Sequence, residues 1–298
     1  MCRTADLRRA ILAHNDDSAR ALRAALAARG TVAVNLLSSP GSGKTALLEG
    51  ELALARERGV PVAALTADLA TENDARRLAR SGAPVQQVLT DGLCHLEAVM
   101  LRGYLAGWLP KDTHVLFVEN VGNLVCPAAY DLGESLRVTL ASVTEGEDKP
   151  LKYPTAFGLA QLVLVTKADI AEAVGFDEAA FLANVAQVNP GVEVVFTSAR
   201  SGLGTGVLLE RALAVREGRQ AHRPVMASAP AADSAAAGDR ASDDALDHVH
   251  DHMHHRHEVP HEHSPVPEPG QGRDHDHGGR SRDLLGAVAH EHPAVDRP

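Results

Sequence analysis

Ser38-Ser39-Pro40-Gly41-Ser42-Gly43-Lys44-Thr45 directly follows the apolar run Val32-Ala33-Val34-Asn35-Leu36-Leu37 and directly precedes Ala46-Leu47-Leu48-Glu49-Gly50-Glu51-Leu52. A strand, a loop of small residues and a helix are written here in that order. Backbone N–H groups from Gly41, Ser42, Gly43, Lys44, Thr45 and Ala46 can wrap phosphate oxygens. The Lys44 ammonium can neutralise the outer oxygens, and the Thr45 hydroxyl can ligate Mg2+. The stretch predicts a nucleoside-triphosphate site. The full pattern for such a loop begins with glycine, and Ser38 stands in that place.

Outward from this loop, apolar runs alternate with helix-like segments. They are Val62 to Thr66, Pro84 to Leu89, Val115 to Val118, Val138 to Val143, Leu162 to Thr166 and Val192 to Thr197. Near-continuous apolar runs joined by helical crossovers are the pattern of parallel strands buried on both faces. The predicted fold class is therefore α/β: a P-loop NTPase with a predominantly parallel sheet covered by helices on both faces. Ligands of such sheets sit at the carboxyl ends of the strands. Before the domain, residues 1–30 predict two short helices, interrupted near Asn15-Asp16-Asp17 and closed by Gly30. The nucleotide-binding domain is placed at 31–220. A C-terminal tail over 221–298 is poor in large apolar side chains, so it predicts a segment disordered without a ligand.

Composition narrows the functions. A net charge of -10 without a basic stripe excludes a nucleic-acid partner. No apolar signal core and no run near about 18 apolar residues is present, which predicts a cytoplasmic protein with no membrane partner. The cysteines at 2, 94 and 126 are an odd set that fits thiolate chemistry or burial better than a disulfide framework.

Further candidate residues follow the predicted strands. Glu119-Asn120-Val121-Gly122 places an acid beside Mg2+ and a glycine whose amide can sense the outermost phosphate. Asp68, at the end of the second strand, is the other candidate Mg2+ carboxylate. In Thr166-Lys167-Ala168-Asp169 a carboxylate at Asp169 would accept both N1–H and the exocyclic N2–H of guanine, with the Lys167 stem along the base. That favours GTP over ATP. Ser198-Ala199 would complete the base pocket through backbone N–H, and Thr166 stands where asparagine is more frequent. No arginine finger or positioned glutamine identifies itself, which predicts slow hydrolysis to GDP and phosphate.

Cys94-His95, expected to open a helix after Gly92, and Cys126, four residues beyond Gly122, supply two thiols and an imidazole. This borderline-soft set suits Ni2+ or Zn2+; inert buried cysteines are the alternative. Three ligands leave the coordination sphere open to solvent or to a second protomer. Cys126 shares its loop with Glu119 and Gly122, so movement driven by phosphate would move a metal ligand. Twelve of the sixteen histidines lie between 248 and 292. His248, His250, His252, His254, His255, His257, His261 and His263 form the densest part and would bind Ni2+ by density rather than by fixed geometry.

Taken together these residues resemble the HypB family, the nickel-inserting GTPases of [NiFe]-hydrogenase maturation. The resemblance covers about Asn15 to Leu213. It rests on Asn15-Asp16, the loop 38–45, Thr71-Glu72-Asn73-Asp74-Ala75 and Gly92-Leu93-Cys94-His95-Leu96-Glu97-Ala98. It rests above all on Glu119-Asn120-Val121-Gly122-Asn123-Leu124-Val125-Cys126-Pro127-Ala128 and on the block from Thr144 to Pro154. It implies that Cys94, His95 and Cys126 form the metal site of the GTPase domain and that GTP promotes a homodimer. It also implies that the nucleotide cycle governs nickel transfer to a partner nickel chaperone and to the hydrogenase large subunit. The cysteine-rich N-terminal motif of some members is not matched, because Cys2 is followed by Arg3-Thr4-Ala5. The His-rich stretch trails the domain instead of preceding it. A urease-type GTPase would carry Cys-Pro-His, whereas Cys126-Pro127 is followed by Ala128. A nickel-storage protein remains the alternative from another class.

Overall fold

The computed structural model describes residues 2–68, 73–90 and 92–227, with the side chains of residues 2–9 and of Asp68 outside that description. Seven strands alternate with helices: β1 (Val32–Ser38), β2 (Val62–Asp68), β3 (Val85–Leu89), β4 (Val115–Gly122), β5 (Leu136–Ser142), β6 (Leu162–Thr166) and β7 (Val194–Phe196). They form one sheet in the order β3-β2-β4-β1-β5-β6-β7, and every pairing is parallel. β1 lies centrally between β4 and β5. The chain leaves β1 toward one edge, returns to lay β4 beside it, and then builds outward to the other edge. Strand order thus reverses around β1, where the doubly wound arrangement opens a ligand crevice.

The period of two along β1 divides the two covering layers. Val32, Val34 and Leu36 face a core with Leu47, Leu48 and Leu52 of α2 (Lys44–Glu57), Leu78 of α3 (Asn73–Ala79) and Leu208 and Leu209 of α8 (Val207–Arg216). Ala33 faces the other layer, among Leu22 and Leu26 of α1 (Cys2–Ala28) and Leu101 and Leu105 of α4 (Ala98–Leu105). On that same side Leu37 packs with Phe157 of α6 (Pro154–Gly158) and Phe181 and Val185 of α7 (Glu178–Val188). The short helix α5 (Lys149–Lys152) leads into α6. Asn35, between Ala33 and Leu37 on this face, is fully buried and marks a polar seam between two apolar clusters.

Two expectations about local structure change. Residues 2–28 form one helix instead of two, because Asn15-Asp16-Asp17 does not interrupt it. Asn15 turns its amide onto the body, donating from Nδ2 to the Asp131 carbonyl at 2.7 Å and accepting the Ala98 N–H at 3.0 Å. These tertiary bonds outweigh its weak helix propensity. Cys94-His95 does not open a helix either; it lies in the irregular segment before α4, which starts at Ala98. Residues 221–227 are described against the body, with His222 Nε2 2.8 Å from Asn189 Oδ1. The histidines from His248 through His263, expected to bind nickel, lie outside the described residues.

Candidate nucleotide and metal site

The loop between β1 and α2 assumes the form that phosphate binding requires. Gly43 sits in the left-handed region at φ 91° as the residue before α2, a conformation open to glycine at little cost. It brings the first N–H groups of α2 to the crevice. Gly122 at the end of β4 pairs with Ser38, and a Cβ there would come within 3.1 Å of Pro40 Cα. A side chain there would push the loop backbone aside by a few tenths of an ångström.

The chemistry gathers around the same crevice. Lys44 is buried and donates to Ser38 Oγ at 2.7 Å. Burial pulls its ammonium below the usual lysine range, against the opposing pull of Glu119, Asp74 and Glu145. The serine in place of the first glycine therefore gives this cation a resting partner. Thr45 donates its hydroxyl to Glu119 Oε1 at 2.7 Å. Glu119 is itself buried, which raises its carboxyl above the usual range while Thr45 and Lys44 draw it down. Its Oε2 is buried with no hydrogen-bond partner. A buried carboxylate oxygen left unpaired beside a threonine hydroxyl and a lysine is costly on its own. It fits a site that a hydrated divalent cation completes. Asp68 closes β2 opposite Leu89; its side chain lies outside the described residues, as do Thr71 and Glu72.

A cavity of about 480 Å3 runs over Gly41, Ser42, Gly43, Lys44, Thr45, Ala46, Glu119 and Gly122. A second, of about 420 Å3, is lined by Lys167, Asp169, Ser198, Ala199 and Thr166. Both share Gly43, Ala46 and Arg77. One polar hollow thus adjoins a more apolar one. Asp169 accepts from Ser198 Oγ at 2.6 Å, which joins the two segments expected to read the base, 29 residues apart in sequence. Lys167 adopts φ 59°, the sole described non-glycine residue in that region. Thr166 is not a gap in the loop: its hydroxyl donates to the Ser42 carbonyl at 2.5 Å. It ties the end of β6 to the phosphate loop where an asparagine amide was missing.

No role of their own in this site was read from sequence for Glu145, Asp74 and Arg77. Ser42 Oγ lies within hydrogen-bonding reach of both Ser39 O, at 2.9 Å, and Glu145 Oε1, alternative acceptors for its one proton. Glu145 pairs with Lys149 at 2.8 Å, so the Thr144-Glu145 block after β5 backs the phosphate loop. Asp74 and Arg77 of α3 line the phosphate cavity. A signal existed for Glu145, an acid just beyond a strand's carboxyl end; none existed for Arg77.

The thiols meet, but a closed metal centre is not assembled. Cys94 and Cys126 are both free and half-buried. The neighbouring Cys126 thiol, then burial, hold the Cys94 thiol above its ordinary range. Cys94 Sγ is 3.7 Å from His95 Nδ1. The His95 ring instead stacks on Tyr130, with centroids 4.0 Å apart. Its Nε2 is buried without a hydrogen-bond partner, 3.5 Å from Glu97 Oε1. Among the described residues no group of three or more His, Cys, Asp and Glu side chains is arranged to hold a metal ion. The expected three-ligand set is two adjacent thiols with an imidazole turned onto an aromatic ring.

The loop that carries Cys126 is fastened by buried polar groups. Arg137 on β5 donates to Glu134 Oε1 at 2.6 Å, to the Ala128 carbonyl at 3.1 Å and to the Tyr130 carbonyl at 2.9 Å. Glu134 Oε2 accepts the Leu132 N–H at 2.8 Å. From Glu134 the seam continues to Asn35 at 3.5 Å and on to Asn120 at 3.3 Å, next to Glu119. Arg23 of α1 closes the outer side on Asp131 at 2.6 and 2.8 Å. Burial pushes the Asp131 carboxyl up, but Arg23 overrides it and the group lies below its usual range.

The chain has known relatives. Residues 32–196 match the family described as CobW/HypB/UreG, nucleotide-binding domain. The hydrogenase maturation factor HypB of Azotobacter vinelandii is 47% identical over 196 residues, covering 66% of this chain and 64% of that protein. The chain thus spans just under two thirds of that relative's length. The HypB of Escherichia coli K12 is 47% identical over 195 residues, covering 65% of this chain and 67% of that one. Among solved structures, HypB from Helicobacter pylori in complex with nickel superposes with a TM-score of 0.63 at 36% identity. It covers 70% of this chain and 99% of that one. The Archaeoglobus fulgidus hydrogenase maturation factor HypB gives 0.63 at 36%, over 69% and 100%. With its phosphate loop, paired base segments and two facing thiols in place, the chain belongs to the CobW/HypB/UreG family, within its HypB branch.

Proposed function

We propose that this protein is a GTP-hydrolysing nickel metallochaperone of [NiFe]-hydrogenase maturation, which binds Ni(II) and releases it under control of the nucleotide. The observation that carries the reading is the continuity of one segment. Glu119, bonded to the Thr45 hydroxyl, and Cys126, against Cys94, lie on β4 and the loop that continues it. A change of phosphate occupancy at one end bears on a thiol at the other.

In this reading the loop amides and Lys44 stabilise charge on the β and γ phosphates, and Lys44 exchanges Ser38 for phosphate oxygen. Thr45 and Glu119 would hold Mg2+ and its waters, with Asp68 as a further ligand; the ion supplies charge neutralisation to the phosphates. Gly122 presents its amide to the outermost phosphate. Asp169 accepts the guanine N1–H and N2–H, with Lys167, Ser198 and Ala199 around the base. Hydrolysis is slow and serves as a timer. Cys94, Cys126 and His95 take the cargo ion, the imidazole leaving Tyr130 to do so, with Zn2+ able to occupy the same ligands. A GTP-promoted homodimer, transfer through a partner nickel chaperone to the hydrogenase large subunit, and a cytoplasmic setting belong to the same proposal. The domain plan, 31–220 for the GTPase and 221–298 for a metal-binding tail, is part of it. Among the described residues no helix is long and apolar enough to cross a membrane.

A second reading is nickel storage through the tail, favoured by the twelve histidines beyond residue 247. Two Helicobacter relatives are called hydrogenase/urease maturation factors, so a urease role is the nearer variant. Nickel equilibrium dialysis decides among these, on the full chain and on a chain ending at Arg223, each with GDP and with a non-hydrolysable GTP analogue. The proposal expects about one ion per chain or dimer in the shortened protein, with an affinity that follows the nucleotide. Nickel binding that vanishes with the tail and ignores nucleotide would leave storage as the function.

A further inference from the structure

Resting on the guanine-nucleotide reading above, we propose that Arg77 of α3 is a nucleotide-binding residue. It leaves Glu49 to bind the α-phosphate when the nucleotide enters. Arg77 reaches the two hollows from outside the phosphate loop. It lines both the base cavity and the phosphate cavity, and the other residues common to the two are Gly43 and Ala46 on the loop and the first turn of α2. The part of a nucleotide that spans a base hollow and a phosphate hollow is the ribose and its α-phosphate. The backbone near Ala46 is where such a loop cradles that phosphate. A guanidinium that lines both hollows from α3 supplies a cation for it, with a planar fork suited to two phosphate oxygens.

Arg77 is held in reserve by its present partners. Its Nε donates to Glu49 Oε2 at 2.7 Å, and Glu49 also pairs with Arg80 at 3.3 Å. Side-chain exposures of 41% for Arg77 and 31% for Glu49 make this a solvent-screened pair of small net worth, easily exchanged. Arg80 would keep Glu49 neutralised after Arg77 departs, so the exchange strands no carboxylate beside the phosphates. Asp74, one turn earlier on α3, lines the phosphate cavity and acts on both Lys44 and Glu119. Without Arg77, α3 would present only that negative charge to the ligand.

Two variants of the full chain with opposite expected signs test the assignment, with folding checked by circular dichroism. Fluorescent GDP and a fluorescent non-hydrolysable GTP analogue report affinity, and competition by unlabelled guanosine reports the base pocket alone. Arg77→Ala is expected to weaken both nucleotides by about tenfold and equally, with guanosine unchanged, because the α-phosphate is common to both. Glu49→Gln is expected to tighten both by roughly two- to threefold, because it removes the competitor for Arg77. If both variants weaken binding alike, the pair is structural and the proposal falls. It also falls if only the triphosphate is affected, which places Arg77 at the γ-phosphate, or if neither variant moves affinity. Failure of the guanine-nucleotide reading itself is separate: the unaltered chain would then bind none of the three probes.

Discussion

Replacing Arg137 by methionine is the perturbation with the largest consequence legible in the fold. Its side chain is 11% exposed and that of Glu134 5% exposed, so water screens the pair little. Methionine approximates the length of the arginine stem but leaves the Glu134 carboxylate buried and the Ala128 and Tyr130 carbonyls without their donor. Breaking one side of a buried, hydrogen-bonded pair costs about 3–5 kcal/mol. For a body of this size each kcal/mol shifts the melting temperature by roughly 2–4 °C, which sets the expected fall at about 6–20 °C. Thermal unfolding of the full chain followed by circular dichroism measures it. The double variant Arg137→Met/Glu134→Leu removes the stranded charge and is expected to melt above the single one. The freed carbonyls belong to the loop behind Cys126, so alkylation of Cys126 should accelerate in the single variant at temperatures where the fold persists. A single variant that melts within about 3 °C of the parent would refute the reasoning, since the seam would then tolerate an unpaired carboxylate.

Asp169→Asn exchanges one acceptor for a donor opposite the exocyclic N2–H of guanine. The variant is expected to lose GDP affinity by at least about a hundredfold and to prefer xanthosine diphosphate, measured by competition titration. Cys126→Ser removes the first cause that holds the Cys94 thiol above its ordinary range. The midpoint of the pH–alkylation profile of Cys94 should shift downward. Nickel binding by the body of the parent protein should strengthen as pH rises, since the thiols must lose protons to bind. Glu51 accepts the Gly206 and Leu209 N–H groups at 2.9 Å each, and burial raises its carboxyl above the usual range. The folded state therefore holds that proton more tightly than the unfolded chain. The contribution of Glu51 falls as pH climbs from its ordinary value through the raised one. Glu51→Gln abolishes that slope and sets an amide N–H against a backbone N–H, destabilising by about 1–3 kcal/mol in urea unfolding at pH 7.

What could be read before folding was whatever one segment carries alone. Val32 to Thr45 encodes strand, loop and helix consecutively, and the buried apolar runs mark the other strands because both faces of each are covered. The segments of Asp169 and Ser198 were each marked by the strand they follow, while the bond that joins them spans 29 residues. What escaped depends on partners distant in sequence. Asn15 stays helical because its bonds go to residues 83 and 116 positions away. Arg77 reaches the nucleotide crevice only because α3 returns over α2. Thr166 looked like a lost amide until the Ser42 carbonyl lay across from its hydroxyl. The residues proposed to take the cargo ion fall between: their order was visible, while the stacking of His95 on Tyr130 was not.

Asn15 has a consequence for how far apart the two sulfur atoms can be. Its amide nitrogen is fixed to the segment after Cys126, at Asp131, and its amide oxygen to the segment after Cys94, at Ala98. A single planar group therefore acts as a gauge block between two stretches of chain that approach each other from different strands. α1 carries that block and is held in turn by Arg23 on Asp131. Through it α1, as well as the strands that the two segments leave, sets the spacing between them.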